Sequence, residues 1–112
     1  MSKIDIDFKK IAKDQSKKLF AGRANGQEAY EFFHINRFEA DGSDRINLSI
    51  PEDIVVSSSY FLGMLEKILP KFKSPKDFYA ITWVDGKQYN EGMLSELERA
   101  VKRGLHKNEP FF

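Results

Sequence analysis

Apolar and polar residues alternate at the start of the chain: Ile4, Ile6 and Phe8 interleave with Lys3, Asp5 and Asp7. A period of two puts one row of side chains on each face of an extended backbone, so this segment reads as a half-buried strand. The same alternation returns in Arg45-Ile46-Asn47-Leu48-Ser49-Ile50, where Ile46, Leu48 and Ile50 share a face until Pro51 stops it. Ile54-Val55-Val56 is a shorter β-branched run. Phe78 to Val84 is rich in aromatic and β-branched residues and predicts a further strand, closed by Asp85-Gly86. On it Tyr79, Ile81 and Trp83 share one face, which is expected to be core.

Between these stretches the apolar spacing lengthens to three and four. Ala21-Gly22-Arg23-Ala24-Asn25-Gly26 is a turn-rich connector, and within it Asn25 followed by Glu28 fits a capping arrangement that predicts a helix from about Gln27 to Phe38. Phe61, Leu62, Leu65, Ile68 and Leu69 predict a central helix from Ser59, ending near Pro70. Leu94, Leu97, Val101 and Leu105 predict a last helix that starts near Asn90 or Glu91. Leu65 and Leu97 are expected on facing stripes in the core. Lys9 to Leu19 is mostly polar and fits either a short helix or a loop. The order strand, helix, strand, helix, strand, helix predicts one α/β domain, with a small, mixed and mostly parallel sheet and helices packed on it. Its core spans about residues 3–105, and 106–112 form a tail ending in Phe111 and Phe112.

Composition narrows the function more than it names it. The 112 residues carry 18 basic and 17 acidic side chains, a formal net charge of +1, so no field steers nucleic acid or an anionic membrane surface toward the chain. Hydrophobic residues make up 41%, enough for a packed core. There is no cysteine, which removes disulfides, thiolate catalysis and cysteine-based zinc sites. His34 and His106 stand far apart, without metal-ligand spacing. No nucleophile elbow or phosphate-binding glycine loop occurs. Asp5, Asp7, Glu96 and Glu98 read as solvated faces. No metal or cofactor is expected, and a chain without an N-terminal apolar stretch is expected in the cytoplasm.

The most informative stretch is Ile54 to Leu65, IVVSSSYFLGML, in which three serines separate two apolar blocks. The strand run ends at Val56 and the helical period is set by Phe61, so a helix cap is expected within Ser57, Ser58 and Ser59. Ile46 to Leu65 also resembles the middle of a STAS domain, in which an apolar strand and a second apolar run lead to Asp-Ser-Ser-Gly at a helix start. Aligned without a gap, Ser57 takes the Asp position, Ser58 and Ser59 the two serines, and Tyr60 the Gly. Gly22-Arg23, Gly26-Gln27-Glu28 and Ser59-Tyr60-Phe61 are similar to the corresponding pairs of a small bacterial STAS-like family of unknown function, over roughly residues 4 to 105.

That resemblance implies a non-catalytic regulatory module that binds a protein partner, an ATPase of the histidine-kinase type, through Ser57, Ser58, Ser59 and Tyr60. By the same alignment Ser58 takes the place of the regulated serine and Ser59 opens the helix. Arg23 reads either as an exposed loop charge or as an anion-binding group beside a helix N-terminus. A second reading is therefore a small enzyme or nucleotide-binding domain with its site between Arg23 and the serines. A third is a homodimer with purely structural work.

Overall fold

The computed structural model describes residues 3–11, 18–39 and 44–105. The two alternating segments are strands β1 (Lys3–Asp7) and β3 (Arg45–Ser49), paired in parallel with Ile4 opposite Ile46 and Ile6 opposite Leu48. These four residues are buried, as the period-two pattern requires. β5 (Thr82–Val84) lies parallel on the other side of β3, and β6 (Lys87–Gln88) returns antiparallel after a turn at Asp85 and Gly86. The sheet order is β1-β3-β5-β6. The result is a small α/β domain with a mixed, mostly parallel sheet, covered on its apolar face by helices. The other face carries Lys3, Asp5, Arg45 and Asn47, and the Arg45 guanidinium sits 4.5 Å from the centre of the Trp83 ring.

Two short strands fall outside the simple alternation of strand and helix. β2 (Leu19–Phe20) and β4 (Val55–Val56) form a separate parallel pair, Leu19 opposite Val55 and Phe20 opposite Val56. Part of the polar stretch after β1 is a one-turn helix, α1 (Phe8–Ile11). Phe8 and Phe20 pack edge to face, with ring centres 5.2 Å apart, which ties this small sheet to the core.

The central helix, expected from Ser59 to near Pro70, spans only Ser58–Leu65, and Leu69–Lys71 forms a separate 3-10 turn with Pro70 inside it. Three further boundaries move, each for a local reason. α2 runs from Arg23 to Phe32, not from Gln27 to Phe38. Gly22 turns the chain at φ 95, and Asn25, expected as the cap, lies inside the first turn with its amide donating to the Ala21 carbonyl at 2.9 Å. Phe78 and Tyr79 belong to helix α4 (Pro75–Ala80), not to a strand. Ser74 caps it by accepting from the Asp77 N–H at 3.4 Å, and Pro75 is preset for a first helical position. Helix-start chemistry here outweighs the β-propensity of the aromatic pair. Tyr79 is therefore buried from a helix, while Trp83 stands half-buried on the polar sheet face, and the two do not share a strand. Finally, α5 spans Ser95–Leu105 and begins after Asn90. Glu98 reaches back from it to accept from the Gly92 N–H and the Tyr89 hydroxyl, which holds 90–94 as a loop.

The central helix is α3 (Ser58–Leu65), and α2 and α5 both pack on it. Leu65 and Leu97 are each 0% exposed, as the helical spacing predicts. α2 and α3 approach on glycines. A Cβ on Gly26 would stand 2.1 Å from the Tyr60 carbonyl oxygen, and one on Gly63 would stand 2.1 Å from that of Arg23. Gly26 looks like a turn residue in sequence; its role is to let two helix backbones touch. Among the described residues, no helix is long and apolar enough to cross a membrane.

Candidate functional site

The three serines sit where β4 becomes α3, and each does something different. Ser57 is still extended, at φ −78 and ψ 161, because its N–H donates to the Phe20 carbonyl of β2 at 2.9 Å. It is the cap: its hydroxyl accepts from the Tyr60 N–H at 3.2 Å. The cap thus falls within the predicted triplet, but on Ser57 instead of Ser59. The β2–β4 pairing holds the backbone extended through Ser57, so the helix can begin only at Ser58. Ser59 lies in the first turn, where its hydroxyl accepts from the Gly22 N–H at 3.3 Å and hydrogen-bonds Ser57 Oγ at 3.1 Å. That contact links the start of α2 to the start of α3.

Ser58 is the first helical residue and is half-buried. Its N–H donates to Glu96 Oε1 of α5 at 2.9 Å, so a carboxylate already meets the positive end of α3. Tyr60, grouped with the serines as a contact residue, is instead 3% exposed. Its ring packs against Phe8 and Phe20, with centres 6.0 and 5.5 Å away. Burial, with a smaller contribution from the Glu28 charge, pushes its phenol up to about 12.

Arg23, the candidate anion-binding group, turns its side chain away from the serines. Its side chain is held by Glu66, with Nε at 3.2 Å from Oε1 and Nη2 bonded to the same oxygen. The Glu66 hydrogen bond, and then its charge, raise the guanidinium pKa above its ordinary value. Gln27 Nε2 donates to the other Glu66 oxygen at 2.7 Å. Glu66 follows the last turn of α3, roughly 12 Å along the axis from Ser58 at about 1.5 Å per residue. The serines and the arginine thus mark opposite ends of one helix.

An apolar groove borders the serine end. It holds about 250 Å³ and is walled by Ile54, Val55 and Val56 on one bank, and Met93, Leu94 and Glu96 on the other. Its rim is open: Val55 is 60% exposed and Met93 39%, and Leu19, paired with Val55, is 59%. No local pattern marks this rim: Val55 lies inside a short β-branched run, and Leu19 and Met93 belong to no motif.

A second, larger cavity of about 660 Å³ lies at the carboxyl ends of β1, β3 and β5, against Asp7, Ser49 and Asp85. Open α/β sheets commonly place ligands there. The polar groups here hold local structure: Asp85 Oδ1 accepts from the Ile50 N–H and Asp7 Oδ1 from the Lys9 N–H, each at 3.0 Å. Asp53, also in the wall, is ion-paired with Lys18, which lowers its pKa. Among the described residues no three His, Asp or Glu side chains converge as metal ligands do.

No protein-family model matches the chain, and neither a curated protein nor a solved structure matches it.

Proposed function

We propose that the protein is a non-catalytic regulatory module of STAS-like type, and that it binds a protein partner through the serine end of α3 and the groove beside it. The observation that carries this reading is the open apolar rim of Val55 and Met93, with exposed Leu19 paired to Val55 and with Glu96 of the same groove accepting from the Ser58 N–H. Large apolar side chains left in water side by side mark an interaction surface more often than a structural accident. The resemblance implies an ATPase of the histidine-kinase type as the partner. Ser58, whose N–H is bonded to Glu96 of the groove, is the residue where added negative charge would act on docking without unfolding the helix. The enzyme or anion-binding alternative loses support, because the Arg23 side chain is directed to Glu66 at the far end of α3.

Capture from the native host with the tagged full chain tests the reading. The parent protein is expected to recover an ATPase of this type, and Val55→Asp and Ser58→Glu to lose it while melting within a few degrees of the parent. Retention of the same partner by both variants would move the interface elsewhere.

A further inference from the structure

The chain has no cysteine, so sulfur oxidation in it falls to methionine. Among the described residues Met64 faces the core and is 0% exposed, whereas Met93 is 39% exposed in the bank of the groove. The Met93 thioether is also held in place. The Asn90 N–H donates to its sulfur at 3.1 Å, and the Met93 N–H donates to the Asn90 carbonyl at 3.2 Å. The loop around this clasp is fixed by other bonds: Glu98 accepts from the Gly92 N–H, and the Leu94 N–H donates to the Tyr89 hydroxyl at 3.2 Å. Methionine usually serves as a flexible filler of apolar gaps. Here its side chain folds back onto its own turn at an open rim.

A thioether sulfur carries two lone pairs and is a weak acceptor. The Asn90 N–H engages one of them, which leaves the other as the nucleophile. The oxidant this chemistry takes is a hydroperoxide. The free lone pair attacks the outer peroxide oxygen, the S–O bond forms as the O–O bond breaks, and the proton on that oxygen passes to the departing hydroxide or alkoxide. Sulfur loses two electrons and becomes a sulfoxide; the peroxide gains two and leaves as water or an alcohol. The product is polar and chiral at sulfur. With one lone pair engaged, one epimer should dominate. The oxygen sets a strong dipole into a groove walled by Val55, Val56 and Leu94. It also draws electron density from the sulfur, which loosens the bond from Asn90.

We propose that Met93 is a reversible oxidation site: a hydroperoxide converts its thioether to the sulfoxide, and the sulfoxide closes the groove to apolar contact until a methionine sulfoxide reductase restores it. The modification and the change in the loop stand on this geometry. The consequence for a partner rests on the binding-module reading.

Hydrogen peroxide, added to the folded full chain and followed by peptide mapping in a mass spectrometer, tests it. Met93 is expected to gain one oxygen about ten-fold faster than Met64. Nitrogen–proton NMR spectra should then shift at the Asn90, Met93 and Val55 amides, and return after treatment with the two epimer-specific reductases, one of which should do most of the repair. Met93→Leu keeps the bank apolar without the sulfur, and its spectrum should not respond at these amides. The proposal is overturned if Met93 and Met64 react at equal rates, if the two reductases repair equal shares, if the Asn90 and Val55 amides stay in place, or if Met93→Leu responds as the parent does. The capture experiment separates the two ideas. The oxidised chain and Met93→Gln should lose the partner that the parent and Met93→Leu recover, and equal recovery by all four removes the closure of the groove. If the parent itself recovers no Val55-dependent partner, the binding-module reading fails, while the oxidation rates and amide shifts still decide the Met93 site.

Discussion

The two ends of α3 solve opposite problems. At the far end, Arg23, Gln27 and Glu66 close a hydrogen-bonded cluster over the crossing of α2 and α3, where Gly26 and Gly63 leave no room for a side chain. At the serine end the backbone donors are met in turn by Ser57, Ser59 and Glu96, yet the surface beside them is apolar and open. The first end is built to stay in place, and the second is finished in its polar groups and unfinished in its apolar ones. Under the proposed function, that contrast separates stability from recognition within a single helix of eight residues. Substitutions at one end should change melting, and at the other, binding.

The largest effects should come from the crossing and the core beneath it. Gly63→Ala forces a Cβ against a backbone carbonyl, which the helices can relieve only by moving apart, so a loss of about 3 kcal/mol or more is expected in urea melts. Leu65→Ala and Leu97→Ala should each lose about 2–5 kcal/mol, since both side chains are fully enclosed. A loss below about 1 kcal/mol at both Gly63 and Leu65 would mean that this end is not the stable one.

Smaller effects should follow the division of labour among the serines. Ser57→Ala removes the cap and should lose roughly 0.5–2 kcal/mol. Ser59→Ala should lose less, because its hydroxyl makes one long bond to the Gly22 N–H. Equal losses at the two positions would return the cap to Ser59. Alkaline titration sharpens the same region. Tyr60 has its folded pKa raised to about 12, so the protonated form is favoured by folding. Its contribution is present in full below the ordinary tyrosine value of about 10 and fades as the pH rises toward 12. Tyr60→Phe should flatten the stability profile across that window, as followed by denaturant melts at several pH values. Tyr79, raised by burial to a similar value, will leave a residual slope.

How much of this was legible in the sequence depended on the range of the interaction. Period-two alternation found β1 and β3, and helical spacing found the burial of Leu65 and Leu97, because both are set by one segment facing one core. The serine triplet marked the helix start to within two residues. The choice of Ser57 over Ser59 came from β2, a strand of two residues inside a polar stretch with no pattern of its own. Helix α4 was hidden behind aromatic residues that favour strands, although Ser74 and Pro75 announced it. The pairing of Arg23 with Glu66 and the approach of Gly26 to the Tyr60 carbonyl join residues far apart in the chain, and no local pattern encodes them. The groove was illegible for the same reason: its two banks meet only once α5 has packed against α3.

The most direct test of the contrast is amide shift mapping of the labelled full chain with its captured partner. The expected perturbations cluster at Val55 to Ser59 and Met93 to Glu96, with Gln27 and Glu66 unmoved. Shifts centred on Arg23, Gln27 and Glu66, with Val55 and Met93 silent, would contradict it: the partner would then read the closed end of α3.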